Sequence, residues 1–242
     1  MLEGLYSAAS GMEAQQQQFD AISNDIANVD TPGYQSTIVG FHDLLYTNGE
    51  YGSNVPTGGG AEAQVVGYDQ TEGAIQQTGE PLNVAINGSG YLEVRRQDGT
   101  IGLTRDGAMQ LNANRQLTTQ TGMLVQPPIT IPSGVDPSQV SISANGTVQA
   151  SGKTLGKLSL VDVPAPSGLV PQGDNTFSAT AASGAINAAK NATLQQGALE
   201  GSNVNLGDEM AKMMTAQQEY SMSSQAVQYQ AQMLAIANEI KP

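Results

Sequence analysis

Cysteine and tryptophan are absent from this chain of 242 residues, and histidine occurs once, at His42. The missing cysteine excludes a disulfide framework, a thiol nucleophile, an iron–sulfur cluster and a Cys-ligated zinc site. A single histidine leaves little for any other metal centre, so no metal or cofactor is expected. Only 13% of residues are charged, about half the usual share, and the formal net charge is -13. Nucleic-acid binding needs Lys and Arg on phosphates and is not expected of so acidic a chain. Basic residues are missing altogether from positions 1–94, which carry twelve acidic residues; all nine Lys and Arg lie at Arg95 or later. That blank leaves no basic n-region for a secretory signal peptide and no arginine-rich presequence. No apolar run approaches the ~18 residues of a membrane span.

What is present is uncharged and polar or small, including 28 Gly and 25 Gln. Proline maps the organisation. Ten of eleven prolines fall between Pro32 and Pro171, and the other is Pro242. Proline breaks helix interiors, so the two ends can hold long helices. Leu5, Met12, Phe19 and Ile26 recur every seven residues, each followed three later by Ala8, Gln15, Ile22 and Val29. This is an a/d seam with one polar fault at Gln15, and it ends at the turn signal Asp30-Thr31-Pro32-Gly33. Leu206, Met213, Tyr220, Val227 and Leu234 repeat the spacing at the other end. Asn205 is suited to cap that second helix, with Asp208 and Glu209 favourable in its first turn, and the helix is expected from about Leu206 to Ile240. Both stripes are narrow and rich in Ala, Met and Gln, so each helix needs a packing partner. The simplest partner is the other helix, or copies of both in neighbouring subunits.

The middle reads as β structure. Thr47–Ala63 is Gly-rich and suggests an extended or mobile loop. From Leu82 onward, short alternating runs such as Leu82-Val84-Ile86, Tyr91–Val94, Ile101–Leu103 and Leu158–Val161 are separated by Asn87-Gly88, Asp98-Gly99, Asp106-Gly107 and Asn145-Gly146. Turn signals at this spacing predict a mostly antiparallel sandwich or barrel. The fold class is therefore α+β: terminal helices paired as a coiled coil (residues 1–30 and 205–242), an extended linker (31–80) and a central β domain (81–204). Catalytic signals are weak. Ser151-Gly152-Lys153-Thr154 lacks the glycine a phosphate-binding loop needs at position 147 and reads as a hairpin tip. His42-Asp43 is two-thirds of a triad at most, and a solvated or packed histidine is the simpler reading. Asp208/Glu209 serves the helix dipole rather than an acid pair. Asn87, Asn145 and Asn191 match the glycosylation acceptor pattern, but the first two are accounted for as turns.

Three segments carry a resemblance. Ile22-Ser23-Asn24-Asp25-Ile26-Ala27-Asn28-Val29-Asp30-Thr31-Pro32-Gly33-Tyr34, with Gly4–Met12 before it, closely resembles the N-terminal signature of the flagellar rod and hook axial proteins. The usual form has asparagine where Asp25 and Asp30 stand, leucine at Ile26 and a basic residue at Gln35. Pro81–Tyr91, followed by Leu103-Thr104-Arg105-Asp106-Gly107, resembles the start of that family's β domain. Glu200-Gly201-Ser202-Asn203-Val204-Asn205, then Glu209-Met210 and Gln217–Tyr220, resembles its C-terminal signature. Order and spacing agree across essentially the whole chain. Length and central motif are most similar to distal rod members, with proximal rod members a close second.

The resemblance implies a structural subunit with no catalytic residues. Such proteins pass through the flagellum-specific type III export apparatus without a cleaved signal, reach the periplasmic or cell-wall space, and polymerise helically into a hollow drive shaft of the basal body. Partners would be copies of the same chain, other rod and hook axial proteins, and surrounding ring proteins. The assembly interface would fall on Leu5, Met12, Phe19, Ile22, Ile26, Val29, Leu206, Met213, Tyr220, Val227 and Leu234. The family motif falls on Asn24, Asn28, Thr31, Pro32, Gly33, Tyr34, Ser202, Asn203 and Val204. A secreted carbohydrate-binding or carbohydrate-acting β protein is the alternative of another class. Against it, no acidic residue is marked out by its neighbours, and tryptophan is missing where sugar stacking wants it.

Overall fold

Two long helices bracket the chain. In the computed structural model, which describes residues 2–44, 47–48 and 56–239, α1 spans Leu2–Ala27 and α2 spans Leu206–Glu239. Ile240 lies outside the described residues, as does most of the Gly-rich stretch at 45–55. The cap on α2 is the one the sequence marks: Asn205 Oδ1 accepts from the Gly207 N–H at 3.0 Å. After α1 the chain turns at once, with Thr31 N–H donating to Asn28 O at 3.1 Å and Tyr34 N–H to Thr31 O at 3.3 Å.

The chain divides into two units. The first holds both helices and residues 37–66, where Thr37–Asp43 pairs with Ala61–Tyr68 in a two-stranded ribbon. Within the expected Gly-rich loop Thr47–Asn48 already pairs with Pro56–Thr57, and from Ala61 the chain is strand, because Ala61–Tyr68 alternates enough apolar residues to pair. Within this unit α1 and α2 lie side by side. Phe19 sits beside Ala216 and Tyr220, and Asp25 near Lys212, so the two helices run antiparallel.

The second unit, residues 28–36 and 67–204, is built of antiparallel strands. Its largest sheet has nine strands. Tyr91–Arg95 is the hub, pairing with Ile101–Thr104, Leu124–Val125 and Leu160–Asp162. A three-stranded sheet joins Val140–Ile142, Thr147–Ala150 and Lys153–Lys157. Val84–Asn87 pairs with Thr193–Gln196, and Ile75–Gln77 with Ala198–Glu200, bringing together segments more than a hundred residues apart. The main core gathers Val84, Ile86, Leu92, Leu117, Ile131 and Val148 among others, and a smaller one forms around Tyr91, Leu103 and Phe177.

Turn chemistry explains several connections, while two of the marked dipeptides close no hairpin. Asp98-Gly99 and Asn145-Gly146 close hairpins, with Gly99 at φ +85° and Gly146 at φ +86°. Ser151-Gly152, at φ +49° and +78°, is the tip between Thr147–Ala150 and Lys153–Lys157. A strand and not a helix follows it, so the phosphate-loop pattern is a hairpin. Asp106-Gly107 does not close a hairpin: Ile101–Thr104 and Met109–Leu111 pair with other strands. A Cβ on Gly107 would fall 1.7 Å from the carbonyl oxygen of Val84, so glycine there permits close backbone approach. Asn87-Gly88 likewise ends a strand that pairs elsewhere.

Candidate assembly interface and the motif clamp

The helical unit presents the expected interface residues at different depths. On α1, Ile22 is buried and Met12, Phe19 and Ile26 are half-buried. Val29 lies past the end of the helix and is half-buried in the second unit. On α2, Met213 and Val227 are half-buried, while Leu206 and Tyr220 stay 45% and 44% exposed. The Leu5 and Leu234 side chains lie outside the described residues. The most buried apolar positions on the two helices are Ala14, Ile22 and Ala216. A hollow of about 190 Å³ remains there, lined by Gln15, Gln16, Phe19, Ala216, Gln217 and Tyr220.

Charge anchors the end of the helix pair where α1 stops. Asp25, one of the positions that departs from the family's usual form, is buried and accepts from the Thr37 N–H through both carboxylate oxygens, at 3.2 and 3.1 Å. Lys212 Nζ donates to Glu209 Oε1 at 2.7 Å. That hydrogen bond, together with the nearby carboxylates of Glu209, Asp25 and Asp208, holds the Lys212 pKa above its ordinary value. Asn24 and His42 are both exposed.

Within the second unit, three sequence-distant segments meet at the family motif. Gly33 takes φ +65°, and its N–H donates to Glu200 O at 2.8 Å. A Cβ on Gly33 would lie 2.5 Å from the carbonyl carbon of Arg105. Pro32 O accepts from Asn175 Nδ2 at 2.8 Å, and Thr31 Oγ1 donates to Asn28 Oδ1 at 3.1 Å. The Asn203 side chain works both ways: Oδ1 accepts from the Ser36 N–H at 2.8 Å, and Nδ2 donates to Asp69 O at 2.9 Å and Thr71 O at 3.2 Å. Its own N–H donates to Tyr34 O at 3.2 Å. Ser202 Oγ accepts from the Val204 N–H at 3.2 Å, shaping the chain after Asn203. The motif residues at 28–34 and 202–204 are thus brought together, and most of these polar contacts satisfy backbone groups.

Beneath this lies an ion pair that motif reading alone does not announce. Arg105 and Glu200 are each 3% exposed; Arg105 Nε lies 2.9 Å and Nη2 2.9 Å from Glu200 Oε2. Arg105 Nη1 donates to Gly90 O at 3.1 Å, and Glu200 Oε1 accepts from the Gly73 N–H at 3.2 Å. Burial pushes the Glu200 carboxyl above its ordinary pKa, and Arg105 opposes that rise. Gln35, where the family's usual form carries a basic residue, is buried, with Nε2 donating to Gln70 Oε1 at 3.4 Å. Among the described residues no group of three or more His, Cys, Asp or Glu could hold a metal ion. The arrangement suits holding segments in register, and its polar groups are spent on one another.

A helix pair drawn from both ends of the chain, a β unit between them and a clamp that fastens the chain after α1 define an axial protein of the flagellar basal body. Three family models cover these parts: the flagella basal body rod protein at residues 5–35, the flagellar hook protein FlgE/F/G D1 domain at 85–150, and the flagellar basal body rod FlgEFG protein C-terminal region at 195–240. The chain is 36% identical to the flagellar basal-body rod protein FlgG of Caulobacter vibrioides, over 99% of this chain and 100% of the relative. It is 34% identical to FlgG of Borreliella burgdorferi, over 100% and 99%. It is also 31% identical to the flagellar hook-basal body complex protein FlhP of Bacillus subtilis, over the full length of both. The chain belongs to the FlgG-type family of distal rod proteins, structural subunits of the flagellar basal body rod and not enzymes.

Proposed function

We propose that this subunit polymerises helically into a hollow shaft that transmits torque from motor to hook, with α1 and α2 as its assembly module. The observation that carries the reading is the incomplete burial of two helices that come from opposite ends of the chain. Leu206 and Tyr220 remain nearly half exposed although the two helices lie side by side. Side chains of this kind at heptad spacing are what a helix presents to further helices. The pair is read as a coiled coil that completes its packing only among copies, with Met12, Phe19, Ile22, Ile26, Met213, Tyr220 and Val227 on the interface, and Leu5 and Leu234 assigned to it by spacing.

In this reading residues 1–30 and 205–242 drive assembly, 31–80 links, and 81–204 forms a sandwich- or barrel-like outer wall. A head-to-tail interface that does not close gives an open filament. Other rod and hook axial proteins cap its two ends, ring proteins surround it, and the type III export apparatus delivers the chain without cleavage. Trimming residues 1–30 and 205–242 tests this. The trimmed protein should lose rod assembly and fail to support motility, and rods formed by the trimmed chain would overturn the reading.

A further inference from the structure

Two points on α1 fasten the ribbon formed by Thr37–Asp43 and Ala61–Tyr68. The strand Thr37–Asp43 packs on α1. At one end Asp25 accepts from the Thr37 N–H through both carboxylate oxygens. At the other end Ser10 Oγ accepts from the Ala61 N–H at 3.3 Å, and the Leu44 N–H donates to Gly60 O at 2.9 Å. A Cβ on Gly60 would overlap Ser10 Oγ, so glycine lets the ribbon close down on the helix there. The lengths match. From Ser10 to Asp25 a helix rises about 22 Å, and from Thr37 to Leu44 an extended chain spans about 23 Å. The ribbon is a strap laid along α1.

The two fastenings differ in kind. Ser10 is neutral and half-buried, whereas Asp25 is 2% exposed. A carboxylate taken that far from water is costly unless a cation answers it. Asparagine, the usual residue of the family at this position, would accept from the Thr37 N–H without that requirement. The cation comes from the other end of the chain. Residues 1–27, 37–66 and 205–242 hold eleven acidic and two basic residues, and of the two Lys241 lies outside the described residues. The other is Lys212, in the second turn of α2. Its ammonium faces three carboxylates, those of Glu209, Asp25 and Asp208, and donates to Glu209 Oε1. The Lys212 side chain is 59% exposed, so solvent screens part of its effect on Asp25.

We propose that Asp25 makes the strap conditional on helix pairing: the ribbon seats fully on α1 only when α2 has brought Lys212 up to the buried carboxylate. Because α2 is drawn from the far end of the chain, a chain whose ends have not met keeps its ribbon loose. Hydrogen exchange of the full-length chain tests this, read at the amides of Thr37–Asp43 with residues 81–204 as the internal reference. Lys212→Met should speed exchange in Thr37–Asp43 at least threefold. Asp25→Asn alone should change it little, and adding Asp25→Asn to Lys212→Met should restore the unaltered rate. Adding Glu209→Gln instead should leave exchange fast, which separates Asp25 from the carboxylate that Lys212 touches directly. Unchanged exchange in Lys212→Met overturns the proposal, as does a loss that Asp25→Asn leaves in place or that Glu209→Gln repairs. If Lys212→Met fails to fold, recovery of the fold by Asp25→Asn supports the proposal and continued failure overturns it.

Discussion

Gly33 and Asn203 show how single positions in the clamp carry structure rather than chemistry. At φ +65° with the Arg105 backbone 2.5 Å from where a Cβ would stand, Gly33 tolerates no side chain without backbone movement. Gly33→Ala should cost the fold about 2 kcal/mol or more, combining left-handed strain with the clash, read as a lower urea midpoint. Asn203→Ala removes the acceptor for the Ser36 N–H and the donor to Asp69 and Thr71, and should cost about 1–3 kcal/mol. An unchanged midpoint for either variant would show that the clamp is not a stabilising element. Arg105→Met strands Glu200 without its cation and should cost about 3–5 kcal/mol at neutral pH. The sign of its pH dependence follows from Glu200. Burial already raises that carboxyl, and losing Arg105 raises it further. The folded variant then holds the proton more tightly than the unfolded chain does, so part of its lost stability returns as pH falls through the raised pKa. A deficit that grows on acidification would contradict this.

At the scale of elements, local signals were legible and long-range ones were not. Both helices follow from heptad spacing and the proline map, and the α2 start follows from Asn205, because helix periodicity and caps are written within a few residues. The hairpins at Asp98-Gly99 and Asn145-Gly146 were readable for the same reason. Asp106-Gly107 is locally a turn, with Asp106 Oδ1 accepting from the Ala108 N–H at 2.9 Å, but that it closes no hairpin was not legible, because the demand on Gly107 comes from Val84, distant in sequence. The pairing of Val84–Asn87 with Thr193–Gln196 and the Arg105–Glu200 pair join residues about a hundred apart, and no local pattern encodes them. The motif residues were recognisable by resemblance, but what Asn203 holds became visible only in the fold. An elemental prediction follows for the helices. Phe19→Asp or Tyr220→Asp puts a charge beside the hollow and should abolish assembly while the β unit keeps its far-ultraviolet signature. Circular dichroism and electron microscopy of each full-length variant check this, and assembly at normal levels would contradict it.

Over the whole molecule the scarcity of charge and its one-sided sign bear on how copies can approach one another. The net charge of -13 sets copies of the chain against one another. Polymerisation should therefore strengthen with ionic strength, since the screening length shrinks from about 10 Å at 0.1 M salt to about 3 Å at 1 M. Sedimentation across a salt series checks this, and polymer that dissolves as salt rises would point to an interface built on opposite charges instead. The most direct measurement of the central claim is electron microscopy of the assembled full-length chain, with density resolved well enough to trace helices. The expected result is a hollow helical tube in which α1 and α2 of many copies pack together around the axis and the β unit lies outside them. A filament held by the β units alone, with α1 and α2 making no contact between copies, would contradict it.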